Sequence, residues 1–294
     1  MKISKVLVVI NQGKGHAVKT ARQLKQILNK HAVKQEWVDA VEYKQGTYRR
    51  LNDLGKCQAD LALVCGGDGT LIQSAHRLRG SGIPLLGINI GYLGFITSIP
   101  GNQLRTGIRR VLESDYVVSE RMALDVTVSL GKRTVRGWAL NDVLVSRGAN
   151  PHVISVAGKI GKKPLTHYRC DGLITSTPTG STAYSLASGG PIVSPERQVM
   201  IVTPICPQAL TNRSVVVSGE KPVQMFLENG SGEGMVQVDG MNLCKVKPGE
   251  TIQVNVSKDT VPIAFLPEVD FFDTLAAKLQ WRGQGVATPK YFRP

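Results

Sequence analysis

The hydrophobic pattern of this 294-residue chain changes period near residue 100, and that change limits its possible folds more than any other feature. Before it, short apolar runs alternate with stretches of helical spacing. Val6–Ile10 is a β-branched run that reads as a buried strand. Val18, Ala21, Leu24 and Leu28 then recur at helical spacing. Trp37-Val38 marks a second strand, Tyr48, Leu51 and Leu54 a second helix, Ala59–Cys65 a third strand and Pro84–Asn89 a fourth. Such alternation predicts an α/β domain with an open, mostly parallel, Rossmann-like sheet covered by helices. After a helical segment (Leu104, Ile108, Val111, Leu112), Leu124–Leu130 alternates strictly. Short strands recur at Ala139–Val145, Val153–Val156, Leu173–Ser176, Val199–Val202, Ser214–Val217, Val223–Leu227, Met235–Val238 and Thr251–Val256. With glycine-rich turns between them, these predict an antiparallel all-β C-terminal domain. The expected organisation is residues 1–99, residues 100–267, and a tail at 268–294 opening with a helix over Asp273–Leu279.

The third strand runs into Gly66-Gly67-Asp68-Gly69-Thr70. Ligands of open parallel sheets bind beyond the carboxyl ends of the strands, and this loop belongs at that edge. Glycines let the backbone turn sharply and approach a ligand closely. Thr70 is the expected N-cap of a helix over Leu71–Leu78. A strand, a glycine turn and a helix start together present N–H groups and the positive end of a helix dipole to an anion. A carboxylate repels phosphate, so Asp68 implies a site that also handles a metal or a proton. Walker A is absent. Gly13-Lys14-Gly15 begins a GxGxxG pattern but has Val18 where the third glycine belongs, so it reads as an ordinary turn.

Composition narrows the partners. The net charge of +14 suits a solvated basic surface or an anionic substrate. Nucleic acid is not expected, because the basic residues come in scattered pairs and aromatics are only 5%, too sparse for stacking platforms. Five cysteines without a CxxC pair indicate neither a disulfide framework nor a zinc site, and fit reduced thiols in a cytoplasm. The apolar run near the N-terminus is too short for a signal sequence, and the longest apolar region, 83–99, carries Asn89 and three glycines, so no membrane span is expected.

Two more motifs carry chemistry. Asp171–Pro191 joins a strand to a hydroxyl-rich loop (Thr177, Thr179, Ser181, Thr182) and a short helix over Thr182–Ser188 that stops at Gly189-Gly190-Pro191. Small donors at a helix start suit a nucleotide's base and ribose. No GxSxG elbow occurs, which argues against a serine hydrolase. Asn141-Asp142 interrupts an apolar run where Asn and Asp are disfavoured. Taken alone it reads as a bulge or turn, and beside the other motifs it becomes a grip for a diol. The five histidines lack metal-ligand spacing, and His152 and His167 are placed to flank the site.

Together these motifs resemble the NAD kinases, which phosphorylate NAD to NADP. The likeness rests on Gly66–Thr70, Asn141-Asp142 and Asp171–Pro191, with Gly87-Ile88-Asn89 and Gly91–Phe95 in support, and covers about residues 60–280. It implies a two-domain architecture whose tail, residues 268–294, packs back on the first domain, ATP as donor, Mg²⁺ as the divalent metal (its ligands unassigned), and a homo-oligomer, dimer or tetramer. It implies that Asp68 is general base for the 2′-hydroxyl of the adenosine ribose and that the loop amides of Gly66, Gly67, Gly69 and Thr70 approach the phosphates and the dinucleotide. Asn141 and Asp142 would hold ribose hydroxyls, Arg169 and Asp171 would lie near the nicotinamide half, and Thr182, Ala183, Tyr184 and Ser185 would surround an adenine. The family usually has Asn-Glu at Asn141-Asp142, and many members have Asp-Gly-Gln at Asp239-Gly240-Met241. Two alternatives share features of the chain: a lipid kinase of the diacylglycerol or sphingosine type, which shares the glycine–aspartate loop, and a non-catalytic NAD(P)-sensing module.

Overall fold

The structure, a computed structural model, describes residues 3–11, 17–40, 53–91 and 94–281. These form two compact units: the described residues of 3–40, 53–120 and 261–281, and those of 121–260. The turn expected at Gly13–Gly15 and the helix expected through Tyr48 and Leu51 lie outside the described residues.

The first unit opens with β1 (Lys5–Ile10), α1 (Ala17–Lys30), β2 (Lys34–Asp39), β3 (Leu61–Cys65), α2 (Asp68–Arg77), β4 (Leu85–Asn89), β5 (Ile99–Pro100), α3 (Leu104–Leu112) and β6 (Val117–Arg121). β1 pairs in parallel with β2 and β3, and β3 with β4. Every residue of β3 and β4 is buried, as central strands of a parallel sheet must be when both faces are covered. The α1 face toward the core is Ala17, Ala21, Leu24 and Leu28, whereas Val18, one position off that stripe, is 48% exposed. Leu104, Ile108 and Val111 of α3 join the same core. The helical segment expected after the boundary at residue 99 is α3, and this unit runs on to Glu120. The strand order β2-β1-β3-β4 reverses direction between β1 and β3. That switch point lies at the carboxyl ends where the Gly66–Thr70 loop begins.

The second unit is a β-sandwich. Its strands are β7 (Leu124–Leu130), β8 (Arg133–Ala139), β9 (Asp142–Ser146), β10 (Ile154–Ile160), β11 (Lys163–Cys170), β12 (Gly172–Ser176), β13 (Val199–Ile205), β14 (Val215–Ser218), β15 (Val223–Leu227), β16 (Gly234–Val238), β17 (Met241–Val246) and β18 (Thr251–Val256), with a four-residue helix α4 (Tyr184–Ala187). One sheet runs β11-β10-β15-β18-β7-β8 and the other β14-β13-β12-β9-β16-β17. Alternate residues, such as Val223, Met225 and Leu227 on β15 and Val236 and Val238 on β16, meet in one core around the fully buried Tyr168.

The chain then returns to the first unit. β19 (Val261–Phe265) pairs in parallel with β4, and α5 (Phe271–Leu279) follows, capped by Asp270, whose carboxylate accepts the N–H groups of Phe272 and Asp273. The return begins seven residues before the expected tail, as a strand of the sheet. No helix among the described residues is long and apolar enough to cross a membrane.

Candidate active site

The first-unit motif is a strand–turn–helix at the end of β3. Gly66 donates its N–H to Ile88 O (3.0 Å), tying the turn to β4. The N-cap is Gly67, and α2 begins at Asp68, three residues earlier than the sequence suggested. Thr70 lies inside the first turn, its N–H on Gly67 O (3.0 Å), so it is not the cap. Gly66 packs so closely on this first turn that a Cβ there would lie 2.3 Å from Thr70 Oγ1. A helix leaves its first N–H groups without an intrahelical acceptor, and here they belong to Gly67, Asp68 and Gly69. Gly69 is exposed, and Gly67 and Asp68 are half-buried.

The Asp68 side chain does not cap its own helix. Its Oδ2 accepts the N–H of Phe95 (2.7 Å) and its Oδ1 that of Ile96 (3.3 Å), while Gly94 N–H bonds Thr97 Oγ1 (3.1 Å). A Cβ on Gly94 would stand 1.8 Å from Asp68 Oδ1, so only glycine admits the carboxylate here. Phe95 is covered in turn by Lys278 of α5, whose Nζ lies 4.8 Å from the ring centroid. Each carboxylate oxygen thus takes one backbone donor and retains a lone pair. The sequence had pointed to Gly91–Phe95 only as a likeness; the physical work of its Gly94 and Phe95 is to hold Asp68.

In the second unit, Leu140 and Asn141 form the break between β8 and β9, so the run read as a single strand, Ala139–Val145, is two. Asp142 opens β9 and is buried, with Ser176 opposite it on β12. Burial, together with the Asp239 carboxylate nearby, pushes the Asp142 carboxyl up to about 7. The loop after β12 locks onto this turn: Thr177 N–H bonds Asn141 O (2.8 Å), and Thr177 Oγ1 bonds Leu140 O (2.7 Å). Gly180 rests so closely on Asn141 that a Cβ would fall 2.1 Å from its carbonyl oxygen.

The hydroxyls of this loop serve the loop itself more than the sequence implied. Ser181 Oγ bridges Val193, Thr182 Oγ1 donates to Thr179 O (3.2 Å), and Ser185 Oγ is 3.1 Å from Thr203 Oγ1. In place of one helix over 182–188 there is a 3₁₀ turn, Thr179–Thr182, then α4 from Tyr184. Ala183 lies between them and is half-buried. Tyr184 is 47% exposed and lines an open cleft of ≈ 580 Å³.

That cleft also holds Asp171, Arg147, Asn242 and Gln237. Asp171 is the corner residue at which the chain passes from β11 in one sheet to β12 in the other. Its carboxylate accepts Arg147 Nε (3.0 Å), and its backbone bonds both Ile205 O and Arg147 N–H. Arg147 is a member the sequence did not single out; only its place after β9 indicated it. Arg169 is exposed on the edge strand β11. His152 is exposed too, its N–H on Asn150 Oδ1 (3.0 Å), and does not line this cleft. His167 pairs instead with Glu228 (2.7 Å). Among the described residues no three His, Cys, Asp or Glu side chains gather to hold a metal ion.

The sequence matches the family model of the ATP-NAD kinase N-terminal domain over residues 6–116 and that of the C-terminal domain over residues 140–265. The chain belongs to the NAD kinase family. A curated NAD kinase of Geotalea daltonii is 40% identical over 76% of this chain and 79% of its own length. The NAD kinase of Acetivibrio thermocellus is 36% identical over 96% of this chain and 99% of its own. The fold is shared with a yeast NADH kinase solved with NADH (TM-score 0.83, 21% identity, 99% of this chain and 91% of that one). It is shared too with an NAD kinase from Archaeoglobus fulgidus solved with ATP (TM-score 0.72, 24% identity, 95% and 100%). These matches lend nothing to the lipid-kinase or sensor alternatives.

Proposed function

We propose that this chain transfers the γ-phosphoryl group of ATP to the 2′-hydroxyl of the adenosine ribose of NAD, giving NADP and ADP, with Asp68 as general base. An alcohol is a poor nucleophile at neutral pH, and a positioned carboxylate takes its proton as the oxygen bonds phosphorus. The β–γ bridging oxygen then leaves with ADP. The observation that carries the reading is the Asp68 carboxylate at the first turn of α2, held by two backbone N–H groups rather than by a cation. Around it, the amides of Gly67 and Gly69 receive phosphate charge, while those of Gly66 and Thr70, expected to share that task, are taken by Ile88 O and Gly67 O and hold the turn. Phosphoryl transfer needs positioning and charge stabilisation more than covalent help.

Asn141 and Asp142 hold ribose hydroxyls; Arg169 and Asp171 lie near the nicotinamide half, with His152 flanking the site; Thr182, Ala183, Tyr184 and Ser185 surround the adenine. Asp171 and Tyr184, which line one cleft, support that placement. Among the described residues no donor set makes a resident metal cage. Mg²⁺ typically keeps several waters and binds through substrate phosphates with one or two carboxylates, so here it accompanies ATP. The chain acts as a homo-oligomer in the cytoplasm, where its thiols stay reduced.

The test is Asp68→Asn, assayed by a NADP-specific dehydrogenase after incubation with ATP, Mg²⁺ and NAD. General-base catalysis of this kind contributes ~10²–10⁴-fold, and a loss of that size in kcat is expected. NADP formation at the wild-type rate would refute the role.

A further inference from the structure

We infer that Asp239 is a positioning residue for NAD: it fixes the Asn141-Asp142 turn that grips the ribose, an inference that rests on the reading of that pair above. Asp239 and Gly240 form the two-residue turn between β16 and β17, with Val238 opposite Met241 and φ of 46° and 77°. Such a turn requires only left-handed backbone, which Asn or Gly supplies as well as Asp. The carboxylate is engaged elsewhere. Its Oδ1 accepts the N–H groups of Asn141 (2.8 Å) and Asp142 (3.0 Å), and its Oδ2 that of Leu140 (2.8 Å). The Asp239 N–H returns a bond to Asp142 O (3.0 Å).

Hydrogen bonds to an ionised acceptor are roughly twice as strong as neutral ones, and one side chain here orders three consecutive amides. Those residues are 97 to 99 positions away in sequence, so the contact is tertiary and has no part in forming the hairpin. From the other side Thr177 and Gly180 seat the nucleotide loop on the same carbonyls, of Leu140 and Asn141. The 140–142 turn is therefore the piece that sets the ribose grip against the 177–185 loop, and Asp239 holds it. The Asp239 charge also favours the protonated form of the buried Asp142.

The experiment is steady-state kinetics of the full chain carrying Asp239→Asn, with Asp239→Glu as second variant. Asn keeps the turn and the size but turns an NH₂ group toward an amide donor; Glu keeps the charge and misplaces it. The KM for NAD is expected to rise ~10-fold or more, with KM for ATP within about twofold. Combined with Asp142→Asn, the two NAD penalties should fall short of their product, since both act on one grip. If Asp239→Asn accumulates unfolded, the Glu variant is read by the same ratio. A wild-type chain that makes NADP while neither variant raises KM for NAD, or while KM for NAD and ATP rise alike, overturns this inference alone. A wild-type chain that makes no NADP overturns the reading beneath it as well.

Discussion

Gly94→Ala is the sharpest test of how the carboxylate of Asp68, the proposed general base, is held. Gly94 is not among the glycines with positive φ, so alanine suffers no backbone strain there. The only obstacle is contact. The new methyl would lie 1.8 Å from Asp68 Oδ1, 2.6 Å from its Cγ and 2.8 Å from Thr97 Oγ1, whereas ordinary contact begins at 3.4 Å. The carboxylate must retreat by about 1.6 Å, the difference between those two distances. In doing so it gives up the Phe95 and Ile96 N–H groups. A misplacement of ~1 Å at a reacting group costs ~10²-fold, so kcat should fall by about that factor. The KM for NAD should change little, because the second-unit residues proposed to bind NAD are untouched. Overpacking of this kind lowers stability by ~1–3 kcal/mol, read separately by thermal melting. Gly91→Ala is the matched control: its Cβ would meet nothing within 4 Å, and full activity is expected. A Gly94→Ala enzyme with wild-type kcat would refute both the cradle and the dependence of catalysis on the placement of Asp68.

Gly180→Ala places a methyl 2.1 Å from Asn141 O and 2.6 Å from its carbonyl carbon. Backbone cannot rotate away, so a loss of ~1–3 kcal/mol in stability and a raised KM for NAD are expected from denaturation and kinetics; a neutral variant would show that the 177–182 loop does not rest on this turn. Asp142 predicts a pH dependence. Its carboxyl is raised from 3.8 to about 7 in the folded chain. Between those values the folded state keeps a proton that the unfolded chain has lost, so stability declines as pH rises through that window, by up to ~4 kcal/mol, and levels off above it. Asp53 and Asp60, whose carboxyls are lowered by Arg77 and by backbone N–H groups, act in the opposite sense and only below about pH 4. Asp142→Asn should flatten the slope in urea melts between pH 5 and 8, and an unchanged slope would disprove the raised carboxyl.

Four of the strands that the sequence pattern passed over share a physical reason. β6, β8, β11 and β17 are edge strands of their sheets. An edge strand with a wet face needs little apolar alternation, and Lys163–Cys170 carries Lys, Pro, Thr, His and Arg with only two buried residues. β3 and β4, buried along their whole length, were legible as unbroken apolar runs. The site divides in the same way. Gly66–Thr70 and Asp171–Pro191 announce themselves by composition, three glycines around an acid and four hydroxyls in six residues, although the hydroxyls of Thr177, Ser181 and Thr182 turn out to brace the loop itself. Gly94, Arg147 and Asp239 look like any turn glycine, surface arginine or hairpin aspartate until their partners are known.

By itself the sequence determined the two kinds of architecture, the place of the glycine–aspartate loop at a strand end and the family the chain belongs to, since all three are written in local period and local motif. Tertiary structure alone decided what holds the motifs in shape. Asp68 is oriented by amides 27 and 28 residues away, and Asn141-Asp142 by a carboxylate nearly a hundred residues on. It also decided that Asp142 keeps its proton to about pH 7, because burial and a neighbouring charge are properties of the folded chain. Hydrogen-bond partners distant in sequence leave no periodic trace, and so no reading of spacing can find them.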